Sequence, residues 1–197
     1  MGGGGGVRIL GIDPGTLNVG FGCLELVERS VAGLARTARQ PLALSAGNVA
    51  RAVPGGTRMK VLDAGVLKLG GRSARIEARL FALSRGLAAL LEKLRVDEVA
   101  LEEAFCGKSV SAALRIGEAR GVILAGARER GLPVHQFPPA RVKRAVAGHG
   151  AASKEAVARM VCLQLALPLT PVPRDVTDAL AVAYCRADER RDPRRVC

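Results

Sequence analysis

Two apolar runs, residues 7–12 and 19–26, stand close together and are separated by a break at Pro14-Gly15. This pattern predicts two strands joined by a short turn. Gly20 and Gly22 fall on one face of the second strand, which suggests a close approach by another part of the chain. Residues 60–69 (KVLDAGVLKL) read as a third strand. From residue 75 the period changes. Ile76, Leu80, Leu83, Leu87, Leu90, Leu91 and Leu94 recur at helical spacing and form one apolar stripe. A strand is predicted over 97–105 with Val99 and Leu101 buried, then a helix over about 109–130 that stops at Gly131. A short strand at 132–137 follows, and a helix over 139–148 opens on a proline, which the first helical turn tolerates. Ser153 is a good N-cap for a helix over 154–166. The Pro-rich stretch 168–173 breaks the chain, and a last helix starts near Asp175. Strands come first, and helices and strands then alternate. That order predicts an α/β fold built on a mixed sheet flanked by helices, in one domain over 7–186.

Composition narrows the partner. The chain has 197 residues, 49% of them apolar, which suits one sizeable core. Lys and Arg number 30 against 18 acids, a net charge of +12. Such an excess favours polyanions. No apolar run reaches the length of a membrane span, so nucleic acid is preferred to a membrane surface. Residues 1–6 (MGGGGG) lack the pattern of a signal peptide and read as a disordered leader. Residues 28–59 carry Arg29, Arg36, Arg39, Arg51 and Arg58, with no acid between Glu28 and Asp63. They read as a basic insertion, and 187–197 reads as a basic tail. Five cysteines, none in C-x-x-C spacing, give no disulfide framework or zinc site, and a reducing cytoplasm is the simplest compartment. With only His135 and His149 present, a His-rich metal site is excluded.

The candidate chemistry lies in acids at element ends. Asp13 closes the first strand, Glu102 closes a later one, and Asp175 and Asp178 lie three apart, expected on one face in the first turn of the last helix. Each alone has an ordinary explanation: a turn aspartate, a solvated strand end, an N-cap. Together they come from three separate segments. Carboxylates brought together repel unless cations neutralise them. Oxygen ligands select hard cations, Mg²⁺ or Mn²⁺. Two such ions can bind a phosphodiester and activate a water. A basic protein with an acidic metal pocket suits the cutting of a polyanion.

The segments GIDPGTLNVGFG, LEEAF…GKSVSAALRIGEARGV, PARVKRAVAGHGAASKEAV and DVTDALAVA resemble the RuvC family of bacterial Holliday-junction resolvases, in order from about residue 7 to 185, leaving out 28–59. The resemblance implies a ribonuclease H-like fold, a homodimer, and hydrolysis of four-way junction DNA by paired nicks that leave a 5′-phosphate and a 3′-hydroxyl. It places the catalytic and metal-binding acids on Asp13, Glu102, Asp175 and Asp178. Asp13 is expected to bridge two Mg²⁺ ions per subunit, with Mn²⁺ able to substitute. Phe105 matches an aromatic that works against DNA bases, and Lys143 and Lys154 match basic residues near the scissile phosphate. Glu103, where the family often has another polar residue, receives no role. Ser109 stands where an Asn is common, and 28–59 departs from the usual spacing. Whether the RuvA and RuvB branch-migration proteins bind is left open.

Three rival readings remain at this point. The segment GIDPGTLNVGFG also resembles the phosphate loop of sugar kinases and actin-like ATPases, but the second Gly-rich loop and second domain are missing. A non-catalytic junction-binding module would have no use for the acids. A nuclease or integrase for another DNA substrate is less favoured by 105–121.

Overall fold

The computed structural model describes residues 6–27, 57–103, 109–167 and 172–192. Ten elements follow one another: β1 (Val7–Asp13), β2 (Asn18–Val27), β3 (Arg58–Lys68), α1 (Ile76–Leu94), β4 (Glu98–Glu102), α2 (Val110–Glu129), β5 (Val134–Phe137), α3 (Pro139–Ala147), α4 (Lys154–Gln164) and α5 (Arg174–Arg191). The expected mixed sheet is present, in the order β3-β2-β1-β4-β5. β1 pairs antiparallel with β2 and β2 with β3, whereas β1–β4 and β4–β5 are parallel.

Strand alternation divides the core into two. Leu10, Ile12, Val99 and Leu101 face the layer of α1 and α2. Ile9 and Ala100 face the layer of α5, α3 and α4. The leucine stripe of α1 behaves as its spacing predicts: Leu83, Leu87, Leu90, Leu91 and Leu94 are buried. α5 is different. It is buried on nearly all sides from Val176 to Cys185, because it lies between the sheet and the outer helices α3 and α4.

Glycine lets α5 lie so deep. A Cβ added at Gly22 would come 2.5 Å from Leu180, and one added at Gly11 would come 2.7 Å from the Ala183 backbone nitrogen. The close approach expected at Gly20 and Gly22 is therefore the last helix crossing β1 and β2.

Three boundaries and placements differ from the sequence expectation. Arg58 and Met59 belong to β3, paired with Val27 and Leu26, rather than to the basic segment; residues 28–56 lie outside the described part. α5 continues through Arg191 instead of giving way to a tail at 187. Ala187 is fully buried, and Arg186 and Arg190 both pair with the buried Glu98. Asp178 is not in the first turn, because α5 already begins at Arg174, and the N-cap is Pro173 rather than Asp175. On α2, a Cβ on Gly117 or Gly121 would meet nothing within 4 Å among the described residues.

Candidate nuclease site

Backbone register brings the first two acids together. In the parallel pair β1–β4, Gly11 lies beside Ala100 and Ile12 beside Leu101. The next step puts Asp13 beside Glu102 on strands about 4.8 Å apart. Asp13 shares the face of Ile9 and Gly11, and Glu102 that of Ala100, so both carboxylates project towards α5. Asp13 also pairs with Gly20 of β2. A side chain at Gly20 would strike the Asp175 backbone, so the bare glycine is the seat on which the first turn of α5 rests. Asp178 follows one turn later on the same helix face.

The remaining wall comes from α3 and α4. A cleft is lined by Glu102, Lys143, Lys154 and Asp178 over an apolar floor that includes Val142 and Val157. Lys154 is the first residue of α4, where Ser153 caps the helix as expected by accepting from the Ala156 N–H at 3.2 Å. The Lys154 ammonium lies 3.8 Å from Asp178 and is largely exposed.

Asp13 lies in the field of the other three acids. Burial, then the charges of Asp178, Glu102 and Asp175, push the Asp13 carboxyl up to about 7, with Lys154 opposing. Glu102 is raised by burial and by Asp178, and lowered by Lys154, Lys143 and Arg120. Burial also raises Asp178, while Lys154 pulls it down. A site this acidic favours a cation. The donors are carboxylate oxygens, which suit a hard divalent ion. In the present side-chain arrangement no three Asp, Glu, His or Cys groups among the described residues stand within joint reach of one ion; Asp178 is drawn to Lys154 instead.

Phe105 lies outside the described residues. Ser109 has a structural use that sequence reasoning missed. It caps α2, accepting from the Ala112 N–H at 3.2 Å. Arg79 and Arg120 were also missed. Both are 8% exposed, and each sits behind the site. A charged residue on the core-facing side of a helix was the available signal.

Known proteins resemble this chain in sequence and in fold. The family model for crossover junction endodeoxyribonuclease RuvC matches residues 40–186, a span holding Glu102, Lys143, Lys154, Asp175 and Asp178. A crossover junction endodeoxyribonuclease RuvC from Chloroflexus aurantiacus is 38% identical over 181 residues, covering 92% of this chain and 93% of that protein. Its counterpart from Moorella thermoacetica is 42% identical over 179 residues, covering 91% and 90%. Among solved structures, Thermus thermophilus RuvC in complex with a Holliday junction substrate superimposes with a TM-score of 0.73 at 29% identity, over 94% of this chain and 95% of that one. Fold, acidic cluster and extent of match lead to one conclusion: the chain belongs to the RuvC family of crossover junction endodeoxyribonucleases.

Proposed function

We propose that this chain resolves four-way DNA junctions as a homodimer, each subunit hydrolysing one phosphodiester in strands of like polarity. The observation that carries the reading is the meeting of Asp13, Glu102, Asp175 and Asp178 at one end of the sheet, flanked by Lys143 and Lys154. Asp13, Glu102 and Asp175 would hold two Mg²⁺ ions, for which Mn²⁺ would substitute, and Asp178 would support a metal or polarise a water. Such ions would supply neutralisation of the carboxylates, activation of a water and stabilisation of the leaving oxygen. Lys143 and Lys154 hold the phosphates on either side of the reacting one. Lys154 opposes the upward push of burial on both Glu102 and Asp178, and Lys143 opposes it on Glu102. Phe105 meets a base at the branch point. The products are a 5′-phosphate and a 3′-hydroxyl, ready for ligation. The reaction belongs to the cytoplasm, where the chromosome of a bacterium lies.

The dimer reading has its own support. α2 turns a face of exposed Val110, Leu114, Gly117 and Gly121 away from the core, with Val110 75% and Leu114 65% exposed. A second α2 lying along the glycine ridge would cover these apolar side chains.

The test is a labelled four-way junction beside a linear duplex of the same sequence, in Mg²⁺, in Ca²⁺ and in EDTA. Paired, religatable nicks in the junction alone, and only with Mg²⁺, are expected. Equal cutting of the duplex overturns the junction assignment. ATP turnover by the chain without DNA would revive the phosphate-loop alternative.

A further inference from the structure

Two buried arginines stand behind the acidic site, one on each helix of the layer opposite α5. Arg79 of α1 donates from Nη1 to the Thr16 carbonyl oxygen at 3.0 Å, in the turn that follows Asp13. Arg120 of α2 donates from Nη1 to the carbonyl oxygen of Glu102 itself, and from Nη2 to Oε1 of Gln136 on β5. Thus each of the two strands that carry a carboxylate has its end tied by a guanidinium from the far side of the sheet.

Both arginines are 8% exposed and, among the described residues, neither forms an ion pair; only the more distant charges of Glu103 and Glu102 offset the burial of Arg120. The Arg79 Nε is buried with no hydrogen-bond partner. Taking a guanidinium out of water without a paired carboxylate is costly, and an unsatisfied donor adds to that cost. A methionine would fill similar space without either penalty. What a methionine could not do is hold a backbone oxygen at the mouth of the site. A planar guanidinium with several donors does this well, because two bonds fix both distance and angle. Arg120 shows this arrangement, bridging the end of β4 to β5. Its tie falls on the same residue whose side chain faces the metal pocket.

We propose that Arg79 and Arg120 are positioning residues for the nuclease reaction: they fix the strand-end backbone so that the Asp13 and Glu102 carboxylates stay aimed at one point. The inference rests on the reading of those acids as metal ligands. Asp13 and Glu102 are the last residues of β1 and β4, held by the ladder through Gly20 and Phe137, and the arginines hold the backbone from the far face where the ladder ends. Groups that orient a metal ligand from outside the ligand set change metal affinity or rate by about 10–100-fold when removed.

The experiment compares the parent protein with Arg79→Met, Arg120→Met and Arg120→Lys. Four quantities are read: the melting temperature, junction affinity in Ca²⁺, Mn²⁺ affinity of the DNA-free protein by direct titration, and the single-turnover cutting rate at saturating junction. Both Met variants should fold and bind the junction at parent level. They should bind Mn²⁺ about tenfold more weakly and cut at least about tenfold more slowly. Arg120→Lys should recover part of both losses, because it keeps a donor and a charge. If Arg120→Met does not fold, the Lys variant decides by the same split between junction affinity and rate. Parent-level Mn²⁺ affinity and parent-level rate in the folded variants overturn the proposal. So does a lower melting temperature with an unchanged rate per folded molecule, which would mark a structural role alone. Absence of cutting by the parent would instead count against the nuclease reading, and the Mn²⁺ titration separates the two failures.

Discussion

Asp13 holds a proton near neutrality because burial and three neighbouring carboxylates oppose its charge. Its folded pKa is about 7 against an ordinary 3.8. Between those values the folded state keeps a proton that the unfolded chain has released. Stability therefore falls as pH rises through this window and is lowest above it. Asp13→Asn removes the penalty and also relieves Glu102 and Asp178. In EDTA the variant should be more stable than the parent at about pH 8, by on the order of 1–4 kcal/mol. The gap should close near pH 4, and chemical denaturation at both pH values measures it. The same variant should lose cutting while keeping junction binding in Ca²⁺. A parent that gains no stability from the change would show that the carboxylates do not share one field. Gly20 is the second decisive residue. A Cβ there would collide with the Asp175 backbone, so Gly20→Ala should push the start of α5 off the sheet. The expected result is a destabilisation of about 1–3 kcal/mol, as for other overpacked sites, together with loss of cutting. Full activity in Gly20→Ala would mean that α5 does not need its seat on β2.

At the scale of elements, α5 is fixed at both ends by different physics. Its beginning is set by absent side chains, at Gly11, Gly20 and Gly22 of the strands beneath it. Its end is set by charge. Arg186 donates to Glu98 from Nε at 2.7 Å and to Glu189 from Nη1 at 2.8 Å, Arg190 also donates to Glu98, and Arg141 of α3 donates to Glu189 at 2.8 Å. Glu98 is the first residue of β4 and only 7% exposed. This network ties the far end of α5 to the strand whose other end bears Glu102. Glu98→Ala would leave the half-buried Arg186 with Glu189 as its remaining ion-pair partner among the described residues. Removing one partner from a buried ion pair typically costs about 3–5 kcal/mol. A comparable loss should appear in urea titration, with the cutting rate of the remaining folded protein reduced less than in Asp175→Asn. A loss below about 1 kcal/mol would place the pair among solvent-screened surface contacts.

For the whole molecule, two features govern how it meets DNA. The net charge of +12 makes attraction to any duplex strongly salt-dependent, with a log–log slope of about −0.9 per phosphate contacted. Preference for the junction should survive at salt that abolishes duplex binding. The outward glycine ridge of α2 governs assembly. Glycine inside a helix costs up to about 1 kcal/mol relative to alanine, and a Cβ at Gly117 or Gly121 would meet nothing within 4 Å among the described residues. Gly121→Leu should therefore leave the melting behaviour of the monomer intact and weaken dimerisation. Sedimentation should find folded monomers that bind the junction but no longer make paired cuts. A variant that stays dimeric and active removes α2 from the interface.

The local pattern alone determined the elements: the leucine stripe of α1, the cap at Ser153, the glycines of β2 and the acids at strand ends all act over a few residues, and a chain shows such features directly. Position at element ends suggested which acids to group, and family likeness assigned their roles. The sequence could not decide that Asp13 lies beside Glu102, since this follows from the parallel register of strands separated by β2, β3 and α1. It could not decide where α5 starts or stops either. The first turn at Arg174 and the extension to Arg191 follow from contacts with Gly20 and Glu98, far away in sequence. The same holds for Arg79 and Arg120. Their spacing marks two charges on core-facing sides of helices, but their carbonyl partners exist only once the helices are packed behind the sheet. The outward face of α2 was undecided for a related reason: a ridge of small residues reads alike whether its neighbour is the same chain or another, and only the packed fold shows that Gly117 and Gly121 have open space around them among the described residues.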